Sequence, residues 1–177
     1  SATLAGMEET APHHLDILFR DSGLVAVNKP PGIPVHGSRK LEDRPLTLLA
    51  MVRKLEGKPV HAIHRLDRPV SGVNLFTTDR DLLVSISRQF EQRLVRKAYL
   101  AVVRGWPEQT GVISHPLLPP RDERKAGSVA REAVTRFERL ATVETPFPVA
   151  PYATSRYSLL ALYPETGRRH QLRMHMK

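Results

Sequence analysis

Residues 15–37 read LDILFRDSGLVAVNKPPGIPVHG, with two short apolar runs, Leu15 to Phe19 and Leu24 to Val27, on either side of RDSG. That spacing, with turn residues between the runs, predicts a β-hairpin ended by the Pro30-Pro31-Gly32 turn. Outward from it, PLTLLAMVRKLEG places Leu46, Leu49, Val52 or Arg53, and Leu55 at helical spacing, and Gly57 fits a C-terminal cap. GVNLFTTD reads as a short strand. Asp79 then caps a predicted helix over DRDLLVSISRQFEQRLV, whose stripe Leu82, Leu83, Ile86, Phe90 and Leu94 reads as core.

Beyond it, KAYLAVVRGW alternates Tyr99, Ala101 and Val103 with Ala98, Leu100 and Val102, and the apolar residues on both sides predict a strand at least partly covered on both faces. GVIS is a further short strand, and the loop from Pro116 to Ala130, rich in Pro, Gly and charge, is expected to be mobile. AVTRFERLATV and SRYSLLALYPE add two strands around the proline-rich TPFPVAPYAT, and TGRRHQLRMHMK resembles a turn entering a helix. The fold class that follows is α+β, a mostly antiparallel sheet with flanking helices; barrel and open sheet remain alternatives. Residues 1–14 are expected to be a disordered tail or cloning scar. Residues 15–177 are expected to form one catalytic domain lacking its C-terminal part.

The chain of 177 residues carries 27 Lys and Arg against 18 Asp and Glu, a net charge of +9. This balance favours a polyanionic partner, nucleic acid first. No apolar run approaches the roughly 20 residues of a membrane-spanning helix, and no signal peptide is recognisable, so no membrane partner is expected. The absence of cysteine excludes disulfides and thiolate chemistry and permits a reducing cytoplasm. Among the 8 histidines, the pairs His61/His64 and His170/His175 lack the companions and spacing of a metal site, so no metal is expected. Phosphate-loop, dinucleotide and serine-hydrolase motifs are absent too.

Two clusters remain. In HAIHRLDRPVSG, residues 61–72, an extended backbone would put His64 and Leu66 on one face and Arg65 and Asp67 on the other. Asp67 would then have a lowered pKa beside a guanidinium, able to act as nucleophile or base or simply as half of an ion pair. In TGRRHQLR, Arg168, Arg169, His170 and Arg173 stand at the start of a predicted helix, as an anion site or an ordinary basic surface.

HRLDRPVSG resembles the catalytic signature of the RluA-type pseudouridine synthases. VAVNKPPGIPVH, QFEQRLVRKAYLAVVRG, AVTRFERLATVETP and YSLLALYPETGRRHQLRMHM are similar to that family's other motifs, in the same order from Leu15 to Lys177. The resemblance implies an isomerase, without cofactor, that converts a uridine of RNA to pseudouridine. Asp67 would be the catalytic aspartate and Arg173 its basic partner. Tyr99 would pack on the target uracil, and Arg65 would enter the RNA stack where the nucleotide is flipped out. Leu172 would line the base pocket, and His64, Arg168, Arg169 and His170 would contact substrate. Val70 departs from the threonine usual between the proline and the serine. RQFEQ, VRGW, RLATVETP and TGRRHQLR are most similar to a tRNA-modifying branch, so tRNA is the expected partner. The early start of the first strand, with no preceding RNA-binding module, agrees with a tRNA substrate.

Lys29, Arg39, Lys40, Arg53, Lys54, Arg121, Arg124, Lys125 and Arg131 are candidate phosphate contacts. The alternatives are the same reaction on ribosomal RNA, a catalytically silent RNA-binding protein, or a hydrolase pairing Asp67 with Glu91 or Glu165. A cytoplasmic monomer is the expected state, since no apolar stripe in the sequence marks a partner surface.

Overall fold

A computed structural model describes residues 15–37 and 46–177; the tail 1–14 and the candidate phosphate contacts Arg39 and Lys40 lie outside the described residues. The chain divides into two compact units, the boundary falling between Gln92 and Arg93.

In the first unit, β1 (Asp16–Arg20) and β2 (Leu24–Lys29) form the expected antiparallel hairpin, with Asp16 opposite Asn28. β4 (Gly72–Thr77) pairs along β2, and the two-residue β3 (His61–Ala62) pairs with β4, giving the order β1-β2-β4-β3. Residues alternate across this sheet, so Val25 and Val27 share a face with Phe76. They bury against Val35, Val60 and the helix α1 (Leu48–Glu56), which supplies Leu48 and Val52. The helix begins at Thr47, whose side chain accepts from the N–H of Ala50, and ends at Gly57 with φ 64°. Its inward stripe is therefore Leu48 and Val52, while Leu46 and Leu55 of the sequence-based stripe are exposed.

The hairpin turn is held by Asp21, whose Oδ1 accepts from the N–H groups of Gly23 at 2.9 Å and Leu24 at 2.7 Å. These bonds hold the carboxyl below its usual 3.8, more strongly than desolvation raises it. A lowered folded-state pKa contributes stability that is present above the unfolded value and lost as pH falls through the folded one. The stability gap between wild type and Asp21→Ala should accordingly be full near neutrality and shrink on acidification. Urea unfolding at a series of pH values checks this, and a gap that does not vary with pH would contradict it.

The second helix, α2 (Arg80–Glu91), is capped by Asp79 as expected, through the N–H groups of Asp81 and Leu82. It is shorter than its apolar pattern. Arg93 adopts φ 62° just beyond it, so Leu94 leaves the helical stripe and is exposed. Leu82, Leu83, Ile86 and Phe90 are half-buried.

In the second unit, β5 (Tyr99–Arg104), β6 (Thr110–Ser114), β7 (Val134–Thr145) and β8 (Ser155–Pro164) form an antiparallel sheet of order β5-β8-β7-β6. Tyr99 lies opposite Leu162 and Ala101 opposite Leu160, so the half-buried face of β5 continues into the buried face of β8. The other face is only partly covered: Ala161, opposite Leu100, is buried, while the β5 side chains on it are largely exposed. Leu100 is 69% and Val102 71% exposed, and the exposed Val143 lies on the same face. An uninterrupted apolar run reads as a strand buried twice, yet here one side is packed and the other covered only in part.

Across from Phe137, Gly111 presents its backbone to the aromatic ring, and a Cβ there would meet the ring at 2.6 Å. Gly111→Ala should destabilise this unit by about 1–3 kcal/mol through displacement of Phe137. Its denaturant midpoint is the measurement, and an unchanged midpoint would show that the ring moves at no cost.

The loop after β6 is closed at its base by paired bonds between Leu117 and Arg131. α3 (Gln171–His175) follows the turn after β8, so the helix expected after TGRRH is formed. Among the described residues no helix is long and apolar enough to cross a membrane.

Candidate active site

In the first unit, the chain that carries Asp67 leaves the sheet early. The N–H of Ile63 still donates to Leu75 O, but the next ladder position is taken by side chains. Leu75 N–H donates to His64 Nε2 at 3.1 Å, and Asn74 Nδ2 donates to His64 O at 3.2 Å. The ladder stops there, because its donor is spent on an imidazole. Arg65, Leu66 and Asp67 are therefore in a loop and not on the extended segment considered from sequence. The His64 ring also stacks on Phe90 of α2, with centroids 5.2 Å apart. Leu66 is buried, Asp67 half-buried and Arg65 exposed.

The loop closes on itself through the N–H of Val70 donating to Asp67 O at 3.0 Å. Its anchor is Lys29 at the end of β2, which is 0% exposed. Lys29 Nζ donates to Pro30 O at 2.8 Å, Arg68 O at 3.1 Å and Val70 O at 2.7 Å. Three carbonyls match the three N–H bonds of an ammonium. Arg68 adds a second tie, donating through Nε to Gly32 O at 2.7 Å while its own carbonyl accepts from Gly32 N–H. Burial pushes Lys29 below its usual 10.5, and the negative charge of Asp67 pulls the other way. The sequence reading took Lys29 for a phosphate contact. Its burial rules that out and gives it a different task, holding the backbone on the C-terminal side of Asp67.

In the second unit, Tyr99 opens β5 on the sheet's packed face. The TGRRHQLR segment forms the turn into α3, with His170 at φ 57° as its N-cap. Arg168 Nε donates to Glu132 O at 2.9 Å. Arg169 Nη1 donates to Asp122 Oδ2 at 2.9 Å and to Glu123 Oε1, tying the loop 116–130 to this turn. Asp122 is held below its usual range, first by the hydrogen bond from Arg169. Leu172 is half-buried on α3 and Arg173 is exposed. Of the candidate residues, His64, Arg65 and Asp67 thus share one loop, Arg168 to Arg173 share one turn and helix, and Tyr99 sits at a strand start.

Two structural features escaped the sequence reading. One is the buried Lys29. The other is Gln171, buried in the centre of a polar network described below. Among the described residues no three His, Cys, Asp or Glu side chains gather as a metal site requires.

A loop that presents an aspartate from a lysine-anchored turn, and a separate basic turn entering a short helix, sit on an antiparallel α+β scaffold whose sequence matches the RNA pseudouridylate synthase family over residues 23–177. The chain belongs to that family. It is 48% identical over 169 residues to tRNA pseudouridine synthase C of Haemophilus ducreyi, covering 92% of this chain and 69% of the relative. It is 45% identical over 168 residues to tRNA pseudouridine synthase C of Salmonella typhimurium, covering 92% of this chain and 64% of the relative. Among solved structures, Human RNA Pseudouridylate Synthase Domain Containing 1 superposes with a TM-score of 0.74 at 26% identity, over 96% of this chain and 66% of that one. Human RNA Pseudouridylate Synthase Domain Containing 4 gives 0.67 at 30% identity, over 90% and 62%. The chain therefore spans about two thirds of the length of these relatives.

Proposed function

We propose that the protein is a pseudouridine synthase that isomerises a uridine of tRNA, in the cytoplasm, with Asp67 as its catalytic carboxylate. The observation that carries this reading is the Lys29-anchored loop presenting Asp67, in a chain that belongs to the RNA pseudouridylate synthase family. The similarity to proteins named tRNA pseudouridine synthase C supports tRNA as the substrate.

The reaction breaks the N1–C1′ bond of uridine, turns the uracil, and forms a C5–C1′ bond. N1 gains a proton and C5 loses one, so the change is redox-neutral and needs no co-reactant. An anionic Asp67 acts by attack on the nucleotide or by taking a proton from it, both open to a positioned carboxylate. Arg173 is its basic partner in this reading. The target base is stacked in folded RNA, so the nucleotide is flipped out, and exposed Arg65 has the reach to fill the gap. Tyr99 supplies an aromatic face for the uracil, a contact worth about 1–3 kcal/mol, and Leu172 supplies an apolar wall. His64, Arg168, Arg169 and His170 contribute substrate contacts, with Arg169 first exchanging its carboxylates for phosphate. The net charge of +9 makes binding strongly salt-dependent.

Nucleoside analysis of treated RNA tests the reading. Pseudouridine should accumulate in bulk tRNA and not in ribosomal RNA. Pseudouridine confined to ribosomal RNA would move the substrate, and free uracil would replace isomerisation by hydrolysis.

A further inference from the structure

α3 is a single turn, too short to hold its shape alone, and its N-cap His170 makes no side-chain capping bond. Yet Leu172 and Arg173 ride on it. Its placement comes from a buried hydrogen-bond network.

Gln171 is 4% exposed and uses both ends of its amide. Its Oε1 accepts from the Thr166 hydroxyl at 2.7 Å and from Arg168 N–H at 3.0 Å. Its Nε2 donates to Val134 O and to Thr135 Oγ1, each at 3.0 Å. Thr166 in turn accepts from Val134 N–H at 2.9 Å. At the other end of the helix, His175 Nε2 lies 3.1 Å from His115 O and Nδ1 lies 3.0 Å from Thr135 Oγ1. A carbonyl only accepts, so Nε2 carries a hydrogen and donates to His115 O; in the Nε2–H tautomer Nδ1 accepts from the Thr135 hydroxyl. Thr135 then donates to His175 and accepts from Gln171.

Gln171 and His175 are four residues apart and share one face of α3. Both are bound to the same hydroxyl on β7, and Thr135 itself is 0% exposed. The exposed Arg173 projects from a helix gripped at its first and last residues. We infer that Gln171, Thr135 and His175 are positioning residues that set the orientation of Arg173 for the isomerisation; this rests on the functional reading above. None of the three touches the reacting nucleotide in this account, so their loss alters the rate of the chemical step more than RNA affinity.

The test uses Thr135→Val, which keeps the shape and removes the hydroxyl, beside Thr135→Ser, which keeps the hydroxyl. Single-turnover isomerisation at saturating tRNA should slow by about 10–100-fold in Thr135→Val, the scale of a misplaced catalytic group. RNA affinity should stay within about twofold, and Thr135→Ser should recover most of the rate. The ¹⁵N shifts of His175 should report the Nε2–H tautomer in wild type and in Thr135→Ser, and a mixture in Thr135→Val. Should Thr135→Val fail to fold, Gln171→Glu, which removes the two amide donors, takes its place with the same expected slowing. An undiminished rate in Thr135→Val, or a Thr135→Ser variant as slow as Thr135→Val, would overturn the inference. A wild type that isomerises no RNA would instead fail the functional reading, and this inference with it.

Discussion

Asp67→Asn should lose isomerisation by about a thousandfold or more while keeping its RNA affinity within a few-fold. Asparagine has the shape of aspartate, and the contacts by which Lys29 holds the loop go to backbone carbonyls and not to the Asp67 side chain. What disappears is the negative charge and the lone-pair basicity, without which neither attack nor proton abstraction can proceed. Binding rests on other groups, the exposed Lys and Arg side chains and the stacking of the flipped base. Filter binding and rate measurements on the same preparations separate the two. A variant that retained more than about a tenth of the rate would remove Asp67 from the chemistry.

Lys29→Met should have the largest effect on stability. Methionine fills much the same volume but offers no donor, so the carbonyls of Pro30, Arg68 and Val70 lose their shared partner, and Arg68 O keeps only the Gly32 N–H. A loss of about 2–5 kcal/mol is expected from the three lost hydrogen bonds of the buried ammonium, together with a loose Asp67 loop and a lower rate. The pH dependence has a definite sign. Burial lowers the folded-state pKa of Lys29 below its usual 10.5, so on alkalinisation the folded protein sheds this proton before the unfolded chain does. In that window the unfolded state holds more protons, and stability attributable to Lys29 rises with pH. The stability advantage of wild type over Lys29→Met should therefore widen between the lowered folded value and 10.5. Urea unfolding across that range checks it, and an advantage that narrows would mean the ammonium is not penalised by burial.

Much of the fold was legible because it follows from neighbours in sequence. The hairpin of residues 15–29 announces itself by two apolar runs around RDSG, and Asp79 and Gly57 mark helix ends by local chemistry that needs no tertiary partner. The candidate site was legible as a set of motifs, and the family resemblance carried over the roles proposed for Asp67, Tyr99 and Arg173. What escaped reading is non-local. A lysine counts as surface until carbonyls 39 and 41 positions away close over it, as those of Arg68 and Val70 do over Lys29. Gln171 meets Thr135 across 36 positions, so nothing near it in the chain signals that its amide is saturated. His64 ends the strand it appeared to continue because its ring, and not its backbone, takes the N–H of Leu75. The exposed side chains of β5 were hidden for the opposite reason: Leu100 and Val102 are apolar, and apolarity alone reads as burial.

The most direct measurement is tritium release from bulk tRNA labelled at uridine C5, with wild type and Asp67→Asn compared in parallel. Forming a C5–C1′ bond expels the C5 hydrogen, so isomerisation predicts release in step with pseudouridine formed, and none from Asp67→Asn. Retention of the label by tRNA that wild-type protein binds would contradict the account, leaving an RNA-binding protein whose Asp67 loop performs no chemistry.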